Sequence, residues 1–201
     1  MPRKRMNPDD RRAQLLMCGV RVFAHLGIGR ASHAEVARVA GVSVATVFNY
    51  FPSRESLVEQ VLSHVDDFLT EISANIEVND TAPLALYGLM SSFAAAAKTD
   101  SDMIRVWLEW STSIRDDTWP KYLEFQERII DRIRQVIVTG KLAGTVAADV
   151  DPEDAARIAV GDAHMVALMQ FAPKPSLDMD RFLRHMVESV LKIPSADITS
   201  R

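Results

Sequence analysis

The stretch GIGRASHAEVARVAGVSVATVFNYFPSRESL, from Gly27 to Leu57, holds two short apolar patterns separated by a glycine and closed by a proline. In each half the apolar residues recur at helical spacing. The first stripe is Ala34, Ala37 and Ala40, and the second is Val44, Val47, Phe48 and Phe51. The stretch therefore predicts two short helices that bury these stripes in one common core.

Capping signals set the bounds of these two helices. Ser32 followed by Glu35 is a capping-box pattern, Gly41 marks the turn, and Ser43 is a second N-cap. Because the second stripe faces the core, the other side of its helix faces solvent or a partner. That side carries Ala45, Thr46, Asn49 and Tyr50. Such groups suit base edges and phosphates.

A helix-turn-helix places its second helix in the DNA major groove, where an asparagine can pair with adenine. Asn49 is therefore the leading candidate for a base contact. The alternative is an ordinary pair of packed helices, because helix pairs joined by a glycine turn are common.

Charge is distributed unevenly along the chain. The net charge of the 201 residues is −4, but residues 1–54 hold nine basic and three acidic residues, a net charge of +6, which leaves −10 for the remainder. The segment that contains the helix pair is thus the basic part of the chain, as DNA binding requires. Arg3 and Arg5 belong to a short basic arm, Pro2 to Met6, that precedes the first helix. Arms of this kind can enter a narrow minor groove; a solubilising tail is the alternative.

Composition excludes several other classes of protein. Cys18 is the single cysteine, so neither an intramolecular disulfide nor a cysteine-rich zinc site is expected, and its apolar neighbours predict a buried structural thiol. No apolar run has the length of a membrane span, and the first residues lack the apolar stretch of a signal peptide. We therefore expect a cytoplasmic protein without membrane contact.

The five histidines, His25, His33, His64, His164 and His185, have no metal-binding spacing. Asp162 and His164 are two positions apart and cannot share a helix face. We predict no catalytic residue, no metal site and no cofactor, and hence no enzyme.

Helical signals fill the rest of the chain, and strand signals are almost absent. The predicted helices are Pro8 to about Leu26 after an N-cap at Asn7, the two short helices, Ser53 to about Ile76, Leu84 to Lys98, Met103 to Ile114, Trp119 to a stop at Gly140, Pro152 to Phe171 after an N-cap at Asp151, and Leu177 to about Lys192. The fold class is all-α with about nine helices. Residues 1–52 form a three-helix head with a core of Phe23, Val47, Phe48 and Phe51, and residues 53–201 form a helical ligand-binding and dimerisation domain.

The last two helices are candidates for a dimer interface. The first of them is apolar nearly all round, which predicts burial on more than one side. A symmetric dimer would also suit the helix-turn-helix, because two copies bind a palindromic site far better than one. The alternative is that both helices complete the core of a monomer.

This layout resembles the TetR superfamily of transcriptional regulators, most specifically in VSVATVFNYFPSRE (Val42 to Glu55). The segments Phe23 to Val65 and Val106 to Pro120 are similar to the quorum-sensing master regulators of the HapR and SmcR type. The resemblance implies a homodimer in which the last two helices of each copy pair as a four-helix bundle on a palindromic operator of double-stranded DNA. The DNA-binding positions that it implies are Arg3 and Arg5 in the arm, and Ser43, Ala45, Thr46, Asn49 and Tyr50.

The resemblance also implies a mostly apolar ligand pocket in the larger domain. The matching positions are Phe68, Ile72, Phe93, Trp107, Glu109, Gln126, Ile130, Ile133, Ala156, Ala159 and Ala163. Gln126 and Ile130 stand where the relatives carry Asn and Gln, and alanines replace a Phe and a Cys, so the expected pocket is roomier and takes a small apolar ligand of its own. Plain core packing is the alternative for this set. A ligand-binding or protein-interaction module whose head has lost its DNA affinity is the alternative for the whole chain.

Overall fold

The computed structural model describes residues 6–74, 81–172 and 178–193. All regular secondary structure in these residues is helical, which confirms the all-α class. The described helices are α1 (Pro8–Leu26), α2 (His33–Ala40), α3 (Val44–Tyr50), α4 (Arg54–Ala74), α5 (Ala82–Thr99), α6 (Ser101–Trp110), α7 (Trp119–Leu142), α8 (Pro152–Gln170) and α9 (Met179–Leu191). The expected ends at Ile76 and Leu177 lie outside the described residues.

Local capping sets the helix starts. The Asn7 side chain accepts a hydrogen bond from the Asp10 amide at 2.8 Å and precedes Pro8 in the first turn of α1. Asp151 accepts from the amides of Glu153 and Asp154 at the start of α8. These contacts span two or three residues, which is why the sequence alone predicted them.

The chain forms two compact units. The head unit comprises Met1–Asp67 and Ser101–Trp119, and the body unit comprises Phe68–Asp100 and Pro120–Arg201. In the head unit α1 packs on α2 and α6, and α2 packs on α3. In the body unit α5, α8 and α9 pack on one another. Helix α6 thus groups with the helix-turn-helix; the functional division expected at residue 53 stays a prediction.

The core of the head unit differs from the expected one at α3. Phe23, Val47 and Phe51 are fully buried, as predicted, but Phe48 is 45% exposed and Val44 is 41% exposed. Within α3 only Val47 is buried, and Phe51 at the C-cap completes the narrow strip that reaches the core. The prediction that Phe48 belongs to the core was therefore wrong.

The buried face of α2 also differs from the predicted alanine stripe. It consists of His33, Val36 and Ala37, while Ala34 is exposed. The predicted stripe contained only Ala37 of this face and left out His33 and Val36.

Gly140 lies inside α7 and does not end it. A Cβ atom at this position would lie 2.3 Å from Ala82 Cβ and 2.8 Å from Val146 Cγ2, closer than packed atoms approach. The glycine thus permits close approach between α7, the start of α5 and the segment after α7. The predicted helix stop at Gly140 was wrong because its role is tertiary.

Helix α8 is buried on one side only. Its alanines Ala155, Ala156, Ala159 and Ala167 are buried in the body unit. On another side Ile158, Met165 and Leu168 are 53%, 50% and 57% exposed. A single copy of the chain therefore leaves an apolar face uncovered, and the predicted burial of α8 on a second side stays a prediction that depends on a partner. Among the described helices, none is both long and apolar enough to cross a bilayer.

Candidate nucleic-acid interface

Helix α3 begins with a side-chain cap. Ser43 Oγ accepts a hydrogen bond from the Thr46 amide at 3.2 Å and lies 2.8 Å from Thr46 Oγ1. The cap satisfies one of the free amides at the helix start and joins the two hydroxyl groups. Ser43 and Thr46, both expected to face DNA, thus lie together at the N-terminal end of α3.

The C-terminal end of α3 is held by His33 from α2. His33 Nε2 lies 2.8 Å from the carbonyl oxygen of Phe51, so Nε2 carries the hydrogen and donates to it. The His33 ring also stacks on Phe48, with centroids 3.9 Å apart and ring planes within 4°. His33 is only 6% exposed. One buried side chain therefore restrains both the main chain and a side chain of the recognition helix.

Arg12 of α1 provides a second restraint. Its guanidinium lies 5.5 Å from the centre of the Phe51 ring, and its Nη1 donates to the Tyr50 carbonyl oxygen at 3.4 Å. Its Nη2 donates to Gln60 Oε1 of α4 at 3.0 Å. Together with His33, this residue ties α3 to helices α1, α2 and α4.

The predicted base-contacting side of α3 is accessible. Ala45 and Asn49 are exposed and lie one turn apart, while Thr46 and Tyr50 are half-buried. Their contacts with DNA stay predictions, and Arg3 and Arg5 lie outside the described residues. Val44 and Phe48, which the apolar periodicity predicted to be buried, are exposed on this same helix.

Two ionisable groups near the helix-turn-helix have shifted pKa values. Burial raises the pKa of the Cys18 thiol, which keeps it protonated, although the residue is half-buried and not fully buried as predicted. The backbone amide of Glu55 and the Ser53 hydroxyl lower the pKa of the Glu55 carboxyl in the first turn of α4. A carboxylate at that end of a helix is stabilised by the helix dipole.

The turn between α1 and α2 is held from two directions. Glu109 Oε1 of α6 accepts a hydrogen bond from the Ile28 amide at 2.8 Å. Arg54 Nη2 of α4 donates to the Ile28 carbonyl oxygen at 2.8 Å and to the Gly29 carbonyl oxygen at 3.1 Å. No local sequence signal predicted these contacts, because Glu109 and Ile28 are 81 residues apart.

The predicted ligand-binding residues fall into both units. Trp107 is buried and Glu109 half-buried in the head unit. The other nine lie in the body unit. Of these, the buried ones are Phe93, Ile130, Ile133, Ala156 and Ala159, and the half-buried ones are Phe68, Ile72, Gln126 and Ala163. Gln126 Nε2 lies 3.5 Å from the Tyr122 hydroxyl on the preceding turn of α7. The ligand role of all eleven residues stays a prediction.

These features define an all-helical protein with an N-terminal helix-turn-helix. Residues 15–61 match the family model of the bacterial regulatory proteins of the tetR family. The HTH-type transcriptional regulator LuxR of Vibrio harveyi is 37% identical over 158 residues, which cover 78% of this chain and 77% of LuxR. The chain belongs to the TetR family of DNA-binding transcriptional regulators.

Solved structures show the same fold. Salmonella enterica GusR superposes with a TM-score of 0.74 at 20% identity, covering 94% of this chain and 100% of GusR. AibR, solved in complex with isovaleryl coenzyme A and operator DNA, superposes with a TM-score of 0.74 at 16% identity, covering 92% of this chain and 100% of AibR. The expected fold is thereby confirmed across nearly the whole chain.

Proposed function

We propose that this protein binds a palindromic operator in double-stranded DNA as a homodimer and regulates transcription in the manner of the quorum-sensing master regulators. The observation that carries the proposal is the short helix α3, which is capped at one end, anchored by His33 and Arg12 at the other, and accessible along Ala45 and Asn49. The net charge of +6 over residues 1–54 supports it. So does the similarity to LuxR.

Asn49 is the proposed base-contacting residue. It is exposed and lies two residues before Phe51, whose carbonyl oxygen is bound by His33. An asparagine amide can donate and accept at once, the pattern that adenine presents in the major groove. Ser43, Thr46 and Tyr50 supply hydroxyl groups suited to phosphates, and Arg3 and Arg5 are proposed to enter the minor groove.

The experiment is selection of bound duplexes from a random library, followed by affinity measurements on the selected site and on variants with single base changes. Asn49→Ala should reduce discrimination at one position of each half-site by about 10- to 100-fold, because a good bidentate contact contributes about 1–3 kcal/mol. Met17→Ala, an exposed position on α1, is the matched control and should leave selectivity unchanged. Unchanged selectivity of Asn49→Ala would remove Asn49 as a base contact. Absent or salt-insensitive binding by the wild type would favour the module without DNA affinity.

The uncovered face of α8 supports dimerisation through α8 and α9. Ile158, Met165 and Leu168 recur at helical spacing and are each at least half exposed. Beside them an open groove of about 520 Å³ runs between α8 and α9, with Phe182 on its α9 side. Exposed apolar faces of this kind mark protein interfaces, and a second copy of the chain offers the same face for a symmetric contact.

Double substitution of Ile158 and Leu168 by Glu should convert the dimer to a monomer in analytical ultracentrifugation and weaken operator binding. Leu142→Glu, a substitution at an equally apolar position that is 86% exposed but lies on α7, is the matched control. A wild-type protein that sediments as a monomer at micromolar concentration would contradict the proposed interface.

We also propose that the larger domain, residues 53–201, binds a small apolar ligand that modulates the head and is not turned over. The support is the apolar character of eight of the nine positions that lie in the body unit, Gln126 being the exception, and the fold shared with AibR, which is solved with isovaleryl coenzyme A and operator DNA. Titration with an apolar fluorescent probe tests it. Ala163→Phe should reduce probe binding, because the larger side chain would fill part of the pocket. Equal probe binding by the wild type and the variant would favour plain core packing of these residues. Because its partner is chromosomal DNA, the protein is proposed to act in the cytoplasm.

A further inference from the structure

The Glu109 carboxylate makes a long-range contact within the head unit. Its Oε1 accepts from the Ile28 amide at 2.8 Å, while Ile28 itself is buried. Hydrogen bonds from a buried amide to a charged carboxylate are among the strong ones in proteins. The contact joins α6 to the turn that connects α1 with the helix-turn-helix.

Gly27 shows that the carboxylate is closely fitted to this turn. A Cβ atom at residue 27 would lie 2.9 Å from Glu109 Oε1 and 3.4 Å from Oε2. Gly27 also has a φ of 87°, which residues with a side chain rarely adopt. The absence of a side chain at residue 27 therefore lets the main chain approach the carboxylate.

Arg54 binds the next two peptide units of the same turn. Its guanidinium donates to the carbonyl oxygens of Ile28 and Gly29 at 2.8 and 3.1 Å. Arg54 is the first residue of α4. The turn that positions α2, and through it α3, is thus held between an acceptor on α6 and a donor on α4.

We propose that Glu109 is a positioning residue for DNA recognition, acting through the Ile28 amide and not as a ligand contact. The proposal rests on the function proposed above. When the carboxylate is in place, the α1–α2 turn is fixed against α6 and α3 is presented in one orientation. Displacement of α6 by about one ångström would lengthen the bond beyond hydrogen-bonding distance and release the turn.

The test combines amide hydrogen exchange, observed by NMR on the full chain, with operator affinity. In Glu109→Ala the Ile28 amide should exchange at least about tenfold faster, and operator affinity should fall by about tenfold or more, since hydrogen bonds to charged groups contribute about 1.5–3 kcal/mol. Glu109→Gln keeps an acceptor oxygen, so it should restore part of the protection of the Ile28 amide and part of the operator affinity. Asp102→Asn removes another carboxylate of α6, one that lies 3.8 Å from His25 of α1 on the exposed surface, and should change neither.

The two readouts separate the possible failures. Unchanged exchange at Ile28 in Glu109→Ala would overturn the proposed contact. Faster exchange with full operator affinity would overturn the positioning role while leaving the function standing. A wild type that binds no operator, yet shows Glu109-dependent protection of Ile28, would overturn the proposed function and with it the role of Glu109 in recognition. Weaker binding of the apolar fluorescent probe by Glu109→Ala, with Ile28 still protected, would overturn the positioning role and indicate that Glu109 contacts the ligand.

Discussion

His33 and Phe48 stack face to face with their ring centroids 3.9 Å apart, although one side chain is buried and the other is 45% exposed. The same imidazole donates to the carbonyl oxygen of Phe51 at the end of α3. A helix of seven residues has little stability of its own, because its few hydrogen bonds do not offset the unfavourable free energy of helix nucleation. Its orientation therefore depends on side chains from neighbouring helices, and His33 is the most buried of those described above.

Replacement of His33 should destabilise the head. His33→Ala removes both the hydrogen bond and the ring stack, each of which contributes about 0.5–1.5 kcal/mol, so the free energy of unfolding should fall by about 1–3 kcal/mol. His33→Phe keeps the ring stack but loses the hydrogen bond. Its free energy of unfolding should therefore lie between those of the wild type and His33→Ala. Urea denaturation monitored by circular dichroism measures all three. Equal stability of His33→Ala and wild type would contradict the anchoring role.

Gly140 should tolerate no side chain. Gly140→Ala places a methyl group 2.3 Å from Ala82 Cβ, and overpacking of this kind costs about 1–3 kcal/mol despite the better helix propensity of alanine. Gly88→Ala is the matched control, since a Cβ at residue 88 of α5 meets no atom within 4 Å. That substitution should raise stability by about 0.5–1 kcal/mol. Thermal unfolding of the two variants should therefore shift in opposite directions, and a shift in the same direction would contradict the close approach.

Asp162 should make stability depend on pH. It lies one turn after Ile158 on α8, and burial raises the pKa of its carboxyl above the usual value. An acid whose pKa is raised by folding weakens the folded state above that pKa, and the penalty vanishes below the pKa of the unfolded chain. Asp162→Asn should therefore raise the melting temperature at pH 7 and leave it unchanged near pH 3.

Asp149 provides the comparison for this measurement. It is exposed, and a hydrogen bond from Lys192 lowers the pKa of its carboxyl. Asp149→Asn should therefore not raise the melting temperature at pH 7. A gain equal to that of Asp162→Asn would show that net charge, and not burial, is responsible.

The basic arm should contribute to affinity without contributing much to sequence preference. Each phosphate neutralised by an arginine adds about 0.9 to the slope of log affinity against log salt concentration. Substitution of Arg3 and Arg5 by Ala should therefore reduce that slope by up to about 2, with a roughly uniform loss across operator variants. Measurement of operator binding between low and physiological salt tests this, and an unchanged slope would place both side chains away from the phosphates.

Several features of the protein were determined by short stretches of its sequence. The caps at Asn7, Ser43 and Asp151 act on amides two or three residues away, and the exposure of Asn49 follows from the helical repeat. Because these interactions are local, the residues themselves predict them. Charge clustering in residues 1–54 is likewise independent of the fold.

Tertiary structure decided the remainder. Phe48 had the periodicity of a core residue, yet α3 meets the core along too narrow a strip to bury it. Gly140 was predicted to be a helix stop, but its role is to leave room for the close approach of Ala82. Glu109 contacts an amide 81 residues away, and α8 keeps an apolar face that this chain alone does not cover. Each of these outcomes depends on which distant segments meet, and helical periodicity, whose reach is a few residues, carries no information about that choice.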